Sequence, residues 1–542
     1  MAVAIGLAPA GHDWGRTRRS FAPAFVAASL AGVGIALGWR GGDLAAQVFR
    51  VDLFRQHGFL LWNDQWFGGH ATLNYSVLLP LIGWLTGPLL LGALSSVVAA
   101  VCVDRILRAH FGPIATVGSV WFAASTVTNV AVGRITFSLG MAFGVGALLA
   151  LQRDRRWVAA ALGLLCALAS PVAAVFLIIA IAAWGSTTRA RWLTAGTVLA
   201  ATGLPLLALG LAFPGSGVFP FNAAELAVDL AICAVVLLAL PVRQVVLRRA
   251  TVLFALATVA VYAVPNALGG NVSRLPMYAA GPIVACVLLP ARRSLLALLA
   301  LPLLFWQWSP AFDGMVRAGL DPSTRADFYQ PLLDVLHQQP GGPSRVEIPV
   351  TQHHWESVYV AETVSLARGW ERQLDISLNP VFYNGTLDAG SYERWLSDEA
   401  VRYIALPAAP IDYAAAAEAR LLTNGLPYLT PVWQNADWRV WRFDQGPGLV
   451  SGPAAITELG AASFTVKVSA PGDVLVRVRA SGHWAVPAPG CATVDPSGWT
   501  LLRDLPTGSI RVAQAVRGTP CPPSDQATAR SVRLRPKSPK EK

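Results

Sequence analysis

The chain has 542 residues, of which 54% are hydrophobic and only 13% charged, with a mean hydropathy of +0.49. Soluble domains are roughly half apolar and about a quarter charged, so this composition excludes an ordinary soluble protein and predicts a polytopic membrane protein. The formal charge of +11 does not indicate nucleic acid, because the basic residues form small clusters between apolar runs, the pattern that orients membrane helices.

Arg16, Arg18 and Arg19 precede the apolar run Phe21 to Trp39 without a small-residue cleavage site, which predicts an uncleaved first helix after a cytoplasmic segment 1–20. A span needs about 20 apolar residues. The runs Phe21 to Trp39, Ile114 to Val132, Trp157 to Ala169, Trp192 to Phe213, Thr251 to Pro265 and Ser294 to Ser309 lead outward. Pro88 to Val103, Ile135 to Leu151, Val172 to Trp184, Ala223 to Pro241 and Met277 to Pro290 return, each to a turn that carries arginines. This gives about eleven spans in a transmembrane domain at 21–309, with a first outer loop at 40–87. The basic turns place the N-terminus in the cytoplasm and everything after Ser309 outside a plasma membrane. Ser170-Pro171 marks either a tight hairpin or a broken single span.

After Ser309 long apolar runs stop. Arg345 to Thr351 reads as a strand, Ser391 to Glu399 as a helix, Val401 to Leu406 as a strand and Tyr413 to Thr423 as a helix, before aromatic strands around Trp433 and at Trp438 to Phe443. This alternation predicts an extracytoplasmic α/β domain at 310–445. From Ala454 the pattern alternates by twos, as in Val474 to Arg479, and predicts a β-sandwich at 446–530, with a disordered basic tail at 531–542. Cys491 and Cys521, the two cysteines of the polar C-terminal region, are expected to pair in an oxidising compartment. The expected fold class is therefore mainly α, a polytopic membrane helix bundle followed by an α/β plus β-sandwich region.

The first loop, Gly41 to His70, concentrates carboxylates, histidines, tryptophans and paired glycines beside the membrane. Asp43 reads as the N-cap of a helix lying along the membrane surface. At about 100° per residue, Asp43, Arg50 and His57 fall within about 40° of one another on one polar stripe. Asp52 and Arg55 form an ordinary surface pair on another side.

An Asp just beyond the first membrane helix, then a surface helix, then Trp62-Asn63-Asp64-Gln65-Trp66-Phe67-Gly68-Gly69, Tyr75 and Leu78-Leu79-Pro80-Leu81, resembles the polytopic C-type glycosyltransferases. These include protein O-mannosyltransferases, lipid A aminoarabinose transferases and actinobacterial wall arabinosyl- and mannosyltransferases. The resemblance covers about the first 85 residues as motif and the remainder as architecture. It departs at Leu44, where many members carry a second acid, and at Asn74 to Leu81, which replaces a Lys-Pro-Pro-Leu stretch. It implies a polyprenyl-phosphate sugar donor, an extracytoplasmic glycan, glycolipid or protein acceptor, and Asp43 as base or metal-associated carboxylate.

Such a transfer needs a carboxylate to take the acceptor hydroxyl proton and cations for the departing phosphate. Arg134 and Arg274, on outer turns, are the candidate phosphate contacts. Glu225 and Asp229, four residues apart at the outer end of a span, are candidates to line the acceptor site or to hold a divalent cation, magnesium or manganese, with Asp43. Arg50, His57, Asp64, His70 and Tyr75 complete the candidate cavity.

Each has a plainer reading: a helix cap for Asp43, dipole complementation for Glu225 and Asp229, snorkelling for Arg134 and Arg274, and an interfacial aromatic belt for Trp62, Trp66 and Phe67. His353-His354-Trp355-Glu356 is not expected to bind metal, since strand neighbours face opposite sides. No nucleophile triad or phosphate loop stands out in the C-terminal region, whose many Trp residues suit either a carbohydrate platform or core packing. A flippase for a lipid-linked saccharide and a non-catalytic envelope assembly protein are the rival classes.

Overall fold

The computed structural model describes residues 21–213 and 217–522. The expected cytoplasmic segment 1–20, with its three arginines, and the basic tail 531–542 lie outside the described residues. The chain is mainly helical, with a β-rich C-terminal region.

Among the described residues, five helical stretches are long and apolar enough to cross a membrane: Pro88–Val132, Ile135–Gln152, Arg189–Ala212, Val245–Ala263 and Arg293–Leu320. The first contains two helices, Pro88–Phe111 and Ala115–Val132, joined by a 3-10 turn at Gly112–Ile114. By length the count is five rather than about eleven. The runs read as further spans form shorter helices: Ala22–Ala36, Arg156–Ala169 and Pro171–Gly185 have 15, 14 and 15 residues, and Ala223–Ala239 and Arg274–Leu288 have 17 and 15. Apolar composition runs past helix ends, because an apolar residue in a turn raises hydropathy without extending the helix. Ser170-Pro171 breaks its run into two helices, and the Ser170 hydroxyl caps the second by accepting from the amide of Ala173 at 3.4 Å.

The α/β region is a five-stranded mixed sheet. Ser365–Leu366, Arg345–Glu347 and Val401–Pro407 run parallel, and Trp438–Phe443 and Leu429–Gln434 complete the sheet antiparallel, with Ile404 opposite Trp441. Two four-stranded antiparallel sheets follow. Val474, Val476 and Val478 face inward against Phe464, Val466 and Trp484, as the alternation predicts. Cys491 and Cys521 are disulfide-bonded, with Cα atoms 4.9 Å apart.

The first loop departs most from expectation. Helix Leu44–His57 does not present a polar stripe to a membrane surface, since Leu44 to Gln47, Phe49, Arg50, Val51 and Leu53 are all buried. The C-terminal domain packs onto it. Phe49 stacks on Trp66 with ring centroids 4.0 Å apart, in one core with Trp355, Val358, Tyr403 and Trp438. The hairpin of Trp62–Asn63 and His70–Ala71 is wedged between the two C-terminal regions. The Trp66 indole donates to the Ser357 carbonyl at 2.9 Å, the Asp64 amide to the Ala461 carbonyl at 2.8 Å, and Arg479 Nε to the Phe67 carbonyl at 2.7 Å. Trp66 and Phe67 are thus fully buried packing residues, not an interfacial belt. Burying a large side chain stabilises by about 1.5–3 kcal/mol, so this hairpin is a principal tie between bundle and domains.

Candidate functional site

A cavity of about 800 Å³ opens between the helical bundle and the α/β domain. Its bundle wall includes Asp43, Tyr75, Arg134, Glu225 and Arg274, five of the residues singled out from the sequence.

Backbone stitching brings the first two charges together. The Gly41 and Asp43 amides donate to the carbonyls of Ala131 and Val132 at 3.2 and 3.0 Å. This close approach requires Gly133, whose φ is +90°; a Cβ there would stand 2.2 Å from the Leu44 nitrogen. Arg134 Nε then donates to Asp43 Oδ2 at 3.3 Å, and Arg274 Nη2 lies 4.0 Å from the same oxygen. The Arg274 guanidinium also lies 5.4 Å from the centre of the Phe137 ring. Neither arginine extends alone toward lipid headgroups. Asp43 occupies the N-cap position of Leu44–His57, yet its side chain makes no capping bond. The capping expectation therefore holds for its place and fails for its carboxylate, which the two cations draw away.

Arg50 does not line the cavity but holds two residues that do. Its guanidinium is 3.4 Å from Glu371 and 4.1 Å from the centre of the Tyr75 ring, and Tyr75 meets Trp370 edge-on at 5.9 Å. Burial raises the carboxyl of Glu371 above its usual range, against the opposing pull of Arg50.

The remaining candidates are dispersed. His57 is exposed at the far end of its helix. Asp64 is buried beside Trp62 and Arg345, and burial pushes its carboxyl well above the ordinary range. His70 stacks on Trp66 at 5.3 Å, and burial together with nearby Arg50 lowers it to about 3, so it is neutral. All three belong to the helix end or the wedged hairpin, where packing between domains, not cavity lining, sets their surroundings. Asp229 accepts from the Ser273 hydroxyl at 2.7 Å and reaches the cavity only through that serine, which lines it. Glu225 forms a reciprocal capping box with Asn222, so its plainer reading holds while it also lines the cavity. Asp43, Glu225 and Asp229 do not converge as a metal ligand set: each is engaged with a different partner, and among the described residues no group of three or more His, Cys, Asp or Glu is placed to hold a metal ion.

The other wall comes from the α/β domain and includes His354, Trp370, Glu371, Arg372, Asp412 and Tyr413. Sequence reasoning did not place these in the site; only the dense charge and aromatics of Arg368 to Arg372 and the His353-His354 pair hinted at it. Arg372 Nη2 is 2.9 Å from Asp412 Oδ1, and against burial, which raises it, the neighbouring His354 first and Arg372 after it hold Asp412 below the carboxylate range. His354 Nε2 and Nδ1 lie 3.6 Å from Asp412 and Glu356, which raise its pKa against burial. The two histidines lie in a turn, not on the strand expected there, which ends at Glu347; His353 is bonded to Asp321 at 2.6 Å and to Asp313, which lines the cavity, at 3.0 Å.

A second, apolar cavity of about 320 Å³ lies inside the bundle among Phe137, Met141, Phe176, Leu177 and Phe254. Arg274 borders both cavities. No protein-family model matches the chain, and no curated protein matches it.

Proposed function

We propose that this protein is an integral membrane glycosyltransferase that moves a sugar from a polyprenyl-phosphate donor to an extracytoplasmic glycan, lipid or protein. The observation that carries this reading is one carboxylate, Asp43, flanked by Arg134 and Arg274 in a cavity large enough for a sugar and its phosphate. Arg274 adds support, because a cation bordering both a polar and an apolar chamber suits a ligand that joins a phosphate to an isoprenoid chain.

In this reading the acceptor hydroxyl oxygen attacks the anomeric carbon while its proton passes to the Asp43 carboxylate. The bond from that carbon to the phosphate oxygen breaks, and the electron pair stays on the lipid phosphate, where Arg134 and Arg274 stabilise it. Before the donor arrives, Asp43 is held by those same arginines. The donor phosphate competes for them and leaves the carboxylate free to face the acceptor hydroxyl. The chemistry is placed on the outer side of a plasma membrane, with the N-terminus cytoplasmic, about eleven apolar segments in the bundle, and the C-terminal domain extracytoplasmic.

The test is transfer from radiolabelled polyprenyl-phosphate sugars to a cell-wall extract, comparing wild type with Asp43→Asn in nanodiscs. Transfer that Asp43→Asn loses while still binding donor supports the reading. Donor binding without transfer by wild type replaces it with a lipid-linked saccharide flippase, and no donor binding replaces it with a non-catalytic assembly protein. A reporter joined after Ser309 is expected outside; a cytoplasmic signal removes the outer-face site.

A further inference from the structure

The domain wall of the cavity carries recognition chemistry that the donor reaction leaves unused. Four consecutive residues line it, each fixed by a different part of the molecule. The Trp370 indole donates to the Gly42 carbonyl at 2.9 Å, Glu371 meets Arg50 at 3.4 Å, Arg372 meets Asp412 at 2.9 Å, and Gln373 Nε2 donates to the Ala267 carbonyl at 3.3 Å. The first of these contacts ties the strap directly to the residue preceding Asp43.

Beside the strap, Tyr413 lines the cavity while remaining 67% exposed, and the Arg372 guanidinium lies 4.7 Å from its ring centre. An exposed ring next to a locked Arg–Asp pair is a rigid, amphipathic surface. Of the five N–H donors of a guanidinium, Arg372 commits one to Asp412 and another to the Tyr383 hydroxyl at 3.2 Å. Among the described residues its other donors make no hydrogen bond. Next to Asp412 stands His354, buried with a φ of +57°. Backbone held in this sparsely populated region costs roughly 1–3 kcal/mol and concentrates at functional sites.

We propose that this wall is a carbohydrate acceptor subsite: the Tyr413 ring supports one face of a sugar, Arg372 and Asp412 hydrogen-bond its hydroxyls, and a hydroxyl is presented toward Asp43. The inference rests on the glycosyl-transfer reading and selects a glycan from its three acceptor classes. A pyranose has C–H faces and hydroxyl edges, which an aromatic ring bordered by a donor and an acceptor complements. The aliphatic lining of the cavity, Val172, Val175, Leu206 and Leu209, belongs to the bundle side, so among the described residues an acyl chain finds no aliphatic strip on the domain wall.

The experiment measures transfer by the full-length protein in nanodiscs from radiolabelled donor to a series of wall oligosaccharides, with donor binding followed separately. Tyr413→Ala is expected to raise acceptor KM roughly tenfold with donor affinity unchanged, and Tyr413→Phe, which keeps the stacking face, is expected to bring it back toward wild type. Arg372→Gln is expected to raise acceptor KM as well. If wild type transfers to oligosaccharides but neither Tyr413→Ala nor Arg372→Gln changes acceptor KM, the subsite is overturned while glycosyl transfer stands. Transfer to a lipid or a peptide alone also overturns it. Failure of wild type to transfer to any acceptor overturns the reading on which the subsite rests.

Discussion

The Asp43 carboxylate accepts a hydrogen bond from Arg134 Nε at 3.3 Å, across a separation of 91 residues. Gly133 makes the approach possible, since its φ of +90° and missing Cβ let the turn lie against the start of helix Leu44–His57. Gly133→Ala is expected to force these backbones apart at a cost of roughly 1–3 kcal/mol. The thermal midpoint should fall, and donor affinity should fall with it. A variant with wild-type midpoint and affinity would show that the close approach does not hold the pair.

Asp43→Asn keeps the shape of the side chain and removes its basicity. Loss of a general base slows reactions by about 10²–10⁴-fold, and a loss of that size in turnover is expected with donor binding retained or improved, because the arginines no longer share a carboxylate. Single-turnover transfer with prebound donor measures the step directly; an undiminished rate would move the base elsewhere.

Arg134→Gln and Arg274→Gln should each weaken donor binding. Hydrogen bonds to charged groups contribute roughly 1.5–3 kcal/mol, which corresponds to a loss of about one to two powers of ten in affinity. The sugar-free polyprenyl phosphate should lose the same factor, since the contact is with phosphate; binding by equilibrium filtration checks both. Equal affinity for all three proteins would separate the arginines from the phosphate.

His353, bonded to the cavity-lining Asp313, supplies a pH dependence of stability. Burial alone would lower its pKa, but hydrogen bonds and charge from Asp313 and Asp321 raise it to about 9. A histidine bound more tightly to its proton in the folded state stabilises fully below its ordinary value of 6.5, and that contribution declines as pH rises through about 9. The midpoint of wild type is therefore expected to fall between pH 6.5 and 10, and that of His353→Gln to be lower at pH 6.5 and flatter above it. Parallel curves would remove His353 as the cause.

The bundle side of the site was legible because a loop carboxylate and two arginines on turns between apolar helices are chemically conspicuous in an apolar chain. The domain side was not. Nothing local in Trp370 to Gln373 announces that these residues reach Gly42, Arg50 and Ala267. The angular reading of Asp43, Arg50 and His57 gave directions around a helix but not what packs on each face, so Arg50 proved buried against Glu371 and His57 exposed. Trp66 and Phe67 read as membrane-interface aromatics because composition cannot distinguish an interface with lipid from one with another domain. The sandwich, by contrast, follows from strict alternation at Val474, Val476 and Val478, a pattern that leaves one buried face.

Removing the disulfide with Cys491→Ser and Cys521→Ser opens a loop whose ends are 30 residues apart. The chain-entropy relation gives a loss of about 3 to 4 kcal/mol. A lower midpoint for the sandwich under non-reducing conditions is the expected result, and free alkylation of both thiols in unreduced wild type would contradict the bond.

The wedged hairpin and the strap together tie the timing of activity to the completion of the chain. Asp43, Arg134 and Arg274 are all made before the α/β domain exists, yet the second wall of their cavity arrives only with Trp370 and Asp412, and the hairpin is clasped only once Arg479 has been made. A nascent or truncated protein therefore holds its charged residues without a finished chamber around them. Damage confined to the distant sandwich reaches the cavity through Phe67 and the core it shares with Phe49, so loss of activity in a variant far from the cavity is evidence of faulty assembly as much as of faulty chemistry.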